Sequence, residues 1–245
     1  MPLFWLIIIV LAIATAGFML GRQRSLASAQ GDNRKLHSLP SYYGWNVALK
    51  AAVPSLLVIA VWLLAQPIYV GNTVSSMIPD QAVPENASRG LVMAEVRRTA
   101  EGLDNAVAEG IMNEGYARDL RADITDVTQR LKDAGQIVTS EVTQPILNAA
   151  QRFRVMDAAG NLYMAIAAIV LAALGALWGL KEAHFDFRAR NTVEQSIRAL
   201  LVAAASIAIL TTVGIVLSLV FNTIEFFRLY PAWDFFTGTS WAPSF

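Results

Sequence analysis

The sequence predicts an all-α integral membrane protein with four transmembrane helices and an extracytoplasmic helical hairpin between the second and third. Three observations carry that reading. Of its 245 residues, 55% are hydrophobic and only 16% charged, with a mean hydropathy of +0.46, values beyond those of soluble domains. Four apolar runs are each long enough to cross a bilayer, at about 20 residues per ~30 Å of hydrocarbon. The insertion of about 95 residues between the second and third runs is amphipathic at helical spacing, not apolar throughout.

The runs are Leu3 to Leu20, about Val47 to Ala65, Leu162 to Leu180 and about Ala199 to Phe221. Three hold no charge; the second holds Lys50 near its start, where the long side chain can snorkel to the interface, and Pro54, where a bend is expected. Basic residues set the direction. Arg22, Arg24, Arg34 and Lys35 face Asp32 alone in the first short loop, and Lys181, Arg188, Arg190 and Arg198 sit with Glu182, Asp186 and Glu194 in the second. An excess of Lys and Arg marks the cytoplasmic side, so both chain ends and the stretch from Pro67 to Asn161 are expected outside, in the periplasm if the cell is Gram-negative. Ala27-Ser28-Ala29 has the form of a signal-peptidase site, but the positive cluster follows the apolar run where a secretory signal would precede it. The reading is an uncleaved helix.

Gly17-x-x-x-Gly21 and Gly175-x-x-x-Gly179 put small residues on one helix face, the spacing that lets a second backbone come close, although glycine is also common in membrane helices generally. Thr211, Thr212 and Ser218 in the fourth run are expected to bond their own backbone or a neighbouring helix, not to line a path.

The four regions are residues 1–66 with two spans, 67–161 outside, 162–221 with two further spans, and an aromatic linker at 222–245. Within the insertion, Asn86 or Ser88 suits a helix cap. Val92, Val96, Leu103, Val107 and Ile111 then fall at helical spacing. A break at Asn113-Glu114-Gly115 leads to a second arm with Leu120, Ile124, Val127, Leu131, Ala134 and Val138 at coiled-coil spacing. Pro145 marks a kink or a new start, and Ile146 to Asn161 is expected to run helically into the third span.

Chemistry is sparse. Cysteine is absent, which removes disulfides, thiolate metal sites and Cys nucleophiles. His37 and His184 have no second ligand at i+3 or i+4. Asp119, Asp123 and Asp126 alternate with Arg118 and Arg121 without a calcium-loop pattern, as a solvated helix face does. The insertion holds 13 acidic and 9 basic residues, a net −4. There is no phosphate-binding P-loop, nucleophile elbow or zinc-protease motif, and no charge near the middle of a span. No catalytic, cofactor-binding or metal-binding residue is nominated, no cofactor is expected, and any ATP hydrolysis belongs to a separate subunit.

The run RARNTVEQSIRALLVAAASIAILTTVGIVLSLVFNTIEFF (Arg188 to Phe227), followed by FFTGTSWAPSF, resembles the start of the PstC-type permease of the bacterial phosphate ABC transporter. LHSLPSYYGWNVALKAAVPSLL (Leu36 to Leu57) resembles the N-terminal extension of one subgroup of these permeases. The resemblance implies a membrane permease with a second permease subunit, a cytoplasmic ATPase dimer and a periplasmic phosphate-binding protein as partners. Family members continue into further helices, including a cytoplasmic coupling loop, that have no counterpart in these residues, so no substrate-path or coupling residue carries over. The competing reading is a membrane-anchored sensor or adaptor whose periplasmic hairpin binds a partner; the short inner loops offer it no output domain. Membrane lipid is an expected partner on either reading, and nucleic acid is not, because the formal charge is zero.

Overall fold

The structure, a computed structural model, describes residues 2–80, 83, 88–121, 129 and 142–238. It is helical throughout, with no strand among the described residues. The chain divides into two compact units, Met1–Phe187 and Arg188–Phe245.

The first unit holds α1 (Leu3–Ser28), α2 (Pro40–Met77), α3 (Arg89–Ala108), α4 (Glu114–Asp119) and α5 (Gln144–Glu182). The second holds α6 (Ala189–Leu229) and α7 (Ala232–Thr237). Four helices, α1, α2, α5 and α6, are long and apolar enough to cross a membrane. The apolar runs mark only part of the last three, the middle of α2 and α6 and the C-terminal half of α5; these helices reach 38, 39 and 41 residues because polar but helix-competent sequence continues beyond the runs. A helix of 38 residues is about 57 Å long, well beyond the hydrocarbon layer. Helix α2 is continuous through Pro54 and Pro67.

The helix ends follow local chemistry. Helix α1 closes with Gln30 N–H on Ala27 O (3.1 Å) and Gly31 N–H on Leu26 O (2.9 Å), with both residues at positive φ (58° and 82°). This paired closure satisfies carbonyls that the last turn would otherwise leave bare. Ser88 caps α3, its hydroxyl accepting from Leu91 N–H at 3.3 Å. Pro145 lies in the first turn of α5, where its missing N–H costs nothing; it marks a new start, and the helix then runs unbroken into the third span.

The break after α3 is not at Gly115. The helix stops at Ala108, and Gly110 at φ 74° supports the same closure, with Gly110 N–H on Val107 O and Ile111 N–H on Ala106 O. Asn113 then caps α4 by accepting from Tyr116 N–H at 2.7 Å, which places Gly115 inside a helix. Val92, Val96 and Leu103 are buried as their spacing predicts, whereas Ile111 lies past the helix end and is exposed. Leu120 is buried, and the rest of the expected second arm, Ile124 to Val138, lies outside the described residues, as do Asp123, Asp126 and Asn86.

In the first unit α2 is the central element. Leu6 and Val10 of α1, Ile59 of α2 and Met164, Ala165, Ala168 and Ala172 of α5 form one apolar core. A second core joins Val70 and Val74 of α2, and Ile78 just after its end, to Val92, Met93, Val96 and Ala100 of α3 and Ala149 and Ala150 of α5. In the second unit, every residue from 197 to 225 of α6 is exposed, and the run from Ala199 to Phe221 carries no charge on any face, the composition that lipid solvates. Thr211 and Thr212 bond the carbonyls four residues back, as expected. Helix α6 ends at Leu229, just ahead of Pro231, and Phe226 lies against both Tyr230 and Phe235. Thr239 and Trp241 to Phe245 lie outside the described residues.

Candidate functional site

The candidate site is the seam that α2 makes with α1, α3 and α5, because the polar side chains of the first unit converge there. Both glycine pairs face α2. A Cβ on Gly17 would stand 2.9 Å from Val47 Cγ1, and one on Gly21 would stand 3.0 Å from Tyr43 O. On the other side, a Cβ on Gly179 would stand 2.7 Å from Val47 Cα, and one on Gly175 would meet the Lys50 carbonyl. Val47 therefore sits between two helices that reach it only because each lacks a side chain there. Gly44 answers in kind, since a Cβ on it would stand 2.7 Å from Phe18 O. The register of α2 against α5 is antiparallel, running from Val47 beside Gly179 to Gln66 beside Gly160.

That register sets the electrostatics. Lys50 does not reach for the interface alone; it pairs with Glu182, its ammonium also lies 4.6 Å from the centre of the Trp178 ring, and Asn46 donates to the same Glu182 oxygen at 3.3 Å. Both charged side chains are largely covered, at 21% and 25% exposure, so each needs the other. Nearer the loops, the Tyr43 hydroxyl donates to Phe187 O at 2.8 Å, and His37 lies 3.9 Å from Asp186. The two short loops are thus tied together.

At the opposite end of the seam, Trp62 donates to Gln66 Oε1 (2.7 Å), Gln66 Nε2 donates to Asp157 Oδ1 (2.7 Å), and Asn161 donates to Asp157 Oδ2 (2.9 Å). Gly160 makes room for this knot, because a Cβ there would stand 2.6 Å from Gln66 Cδ. A cavity of about 500 Å³ lies beside it, lined by Trp62, Tyr69, Met156 and Tyr163 among others.

Beyond the knot, Arg154 on α5 is buried to 7% side-chain exposure and bonds Asp104 of α3 (2.6 Å) and Glu114 of α4 (2.9 Å). It precedes the predicted third span. Burial works to lower the basicity of its guanidinium, but the hydrogen bonds and charges of Asp104 and Glu114 outweigh it and raise the pKa above the ordinary arginine value. On α3, the buried Glu95 Oε1 and Thr99 Oγ1 have no hydrogen-bond partner among the described residues.

No group of three or more metal-ligating side chains occurs among the described residues, and the two histidines remain apart from any such cluster. Asp119 is exposed on α4. The sequence nominated no site residue, and the polar seam went unseen because its partners are far apart in the chain. Lys50 and Glu182 are separated by 132 positions. One signal was available: Lys50 lies just inside the start of the second span and Glu182 just after the end of the third, which antiparallel packing brings to one level.

Long apolar helices, glycine-mediated packing and charges held in pairs define a multi-span helical membrane protein. A family model described as phosphate ATP-binding cassette transporter matches residues 7–177, well over half of the chain. The chain belongs to that family. Neither the curated proteins nor the solved structures provide a match.

Proposed function

We propose that this chain is the N-terminal part of the membrane permease subunit of an ATP-driven phosphate importer of the PstC type. The observation that carries this reading is the family match across residues 7–177, which takes in α1, α2, α3, α4 and most of α5. The permease type rests on the likeness of Arg188 to Phe245, which lies beyond the matched residues.

In this reading the loops at 29–39 and 183–188 face the cytoplasm, and α3, α4 and both chain ends lie in the periplasm of a bacterial inner membrane. Helices α1, α2 and α5 form an accessory bundle, locked by the glycine seam and the Lys50–Glu182 pair. Helix α6 is the first helix of the translocation core, apolar on every face, as a helix needs to be when lipid and other membrane helices surround it. ATP hydrolysis resides on a cytoplasmic ATPase dimer, and a second permease subunit and a periplasmic phosphate-binding protein complete the assembly. Affinity purification of the tagged chain from phosphate-starved cells tests the reading. The expected result is co-isolation of an ATPase and a second multi-span subunit in fixed ratio; isolation of the chain without either would sink it.

A further inference from the structure

A cleft of about 350 Å³ lies between the C-terminal part of α2 and α3. Pro67, Gly71, Asn72 and Ser75 line it from α2, and Arg89 and Arg97 from α3, with no carboxylate among its lining residues. The two arginines differ. Arg89 is held in place, donating to Ser75 O (2.6 Å) and Ile78 O (3.3 Å) and paired with Asp80. Arg97 makes no hydrogen bond or ion pair among the described residues, and neither do the side chains of Asn72 and Ser75. Glu95, two residues before Arg97 on α3, is paired with Arg98.

Gly71 leaves room for the Arg97 guanidinium in the cleft. A Cβ at that position would stand 3.3 Å from Arg97 Nη2, so alanine would ask the guanidinium to give by a few tenths of an ångström and a bulky side chain such as leucine would compete for its space. Gly71 and Ser75 are one turn apart, about 6 Å, which brings the fixed charge of Arg89 and the unengaged charge of Arg97 to adjacent turns of α2. A guanidinium without a partner among the described residues, a second one held against Asp80, an amide and a hydroxyl around a concave space with no carboxylate among its lining residues match the tetrahedral oxygens of a phosphate, which guanidinium binds bidentately.

We propose that this cleft binds an oxyanion of the phosphate class, with Arg97 as its main ligand, Asn72 and Ser75 as supporting donors and Arg89 as a fixed second charge. The site goes beyond the permease reading and does not depend on it. Residues 71 to 75 lie about 9 to 15 Å past the end of the second apolar run at 1.5 Å per residue. The headgroup layer is roughly 5 to 7 Å deep on each face, so these residues stand just beyond it, open to dissolved phosphate and within about an arginine side chain's length of lipid headgroups.

The experiment uses the full chain. In phosphate-free maltoside micelles, calorimetric titration with inorganic phosphate is expected to give saturable binding. Arg97→Gln should weaken it roughly tenfold or more, the value of one charge-assisted hydrogen bond. Gly71→Leu should weaken it similarly by filling the cleft while the arginines remain. Because Arg97 is exposed and has no partner among the described residues, its variant should retain the wild-type melting profile. In a second arm, phosphatidylglycerol retained after delipidation is weighed by native mass spectrometry. Loss of retained lipid in both variants, without phosphate binding in micelles, would support the site and make the headgroup its ligand. If neither phosphate binding nor lipid retention responds to either substitution, the proposal is overturned.

Discussion

Gly175 lies directly against the backbone of Lys50: a Cβ at position 175 would stand 2.6 Å from the Lys50 carbonyl carbon and 3.0 Å from Ala51 Cα. Backbone cannot step aside as a flexible side chain can. This close approach holds α2 and α5 at the distance that lets Lys50 and Glu182 pair about two turns further along α5.

Gly175→Leu should therefore destabilise the bundle by about 3 kcal/mol or more, the upper end of overpacking costs. Gly214, on α6, has nothing within 4 Å of its own hypothetical Cβ, so Gly214→Leu should change the same quantity by no more than about 0.5 kcal/mol. Unfolding of the two variants in mixed detergent reads the difference.

Glu182→Gln and Lys50→Met each strip a covered charge of its partner and should each cost about 3 kcal/mol. Changing both removes the exposed penalty, so the double variant should lie well above the sum of the singles in stability. A double-mutant cycle in the same unfolding assay should return a coupling of about 1 to 3 kcal/mol.

Arg154→Met should loosen α3 and α4 while leaving the membrane bundle intact, because the side chain reaches Asp104 and Glu114 and neither of α1 nor α2. Losing two charge-assisted bonds should lower local stability by about 2 kcal/mol. Hydrogen exchange should show faster amides in residues 89–119 and unchanged protection in α1.

Thr99→Val should leave stability unchanged or raise it by about 1 kcal/mol. Thr99 is buried with an unpartnered hydroxyl, and valine keeps the shape without the buried polar atom. Thermal melting of the purified chain checks the direction.

Much of this architecture is legible in the residues, and the limits have physical causes. The four apolar runs located the spans, because lipid demands the same composition whatever the neighbours are. Gly17, Gly21, Gly175 and Gly179 showed where backbones could approach, though not that all four would converge on Val47 and its neighbours. The end of α3 was misplaced because Asn113-Glu114-Gly115 and Glu109-Gly110 both look like stops. Only the closure around Gly110 uses a positive φ, and Asn113 starts a helix instead. The polar seam was illegible for a different reason. Gln66 and Asp157 are 91 positions apart, and only the antiparallel register sets them within 2.7 Å.

The most direct test of the account is phosphate uptake at micromolar phosphate in a strain lacking the gene, compared with the same strain carrying the wild-type chain in its native context. High-affinity uptake is expected to collapse on deletion and return on complementation, with Gly175→Leu failing to restore it. Undiminished uptake in the deletion strain would contradict the account.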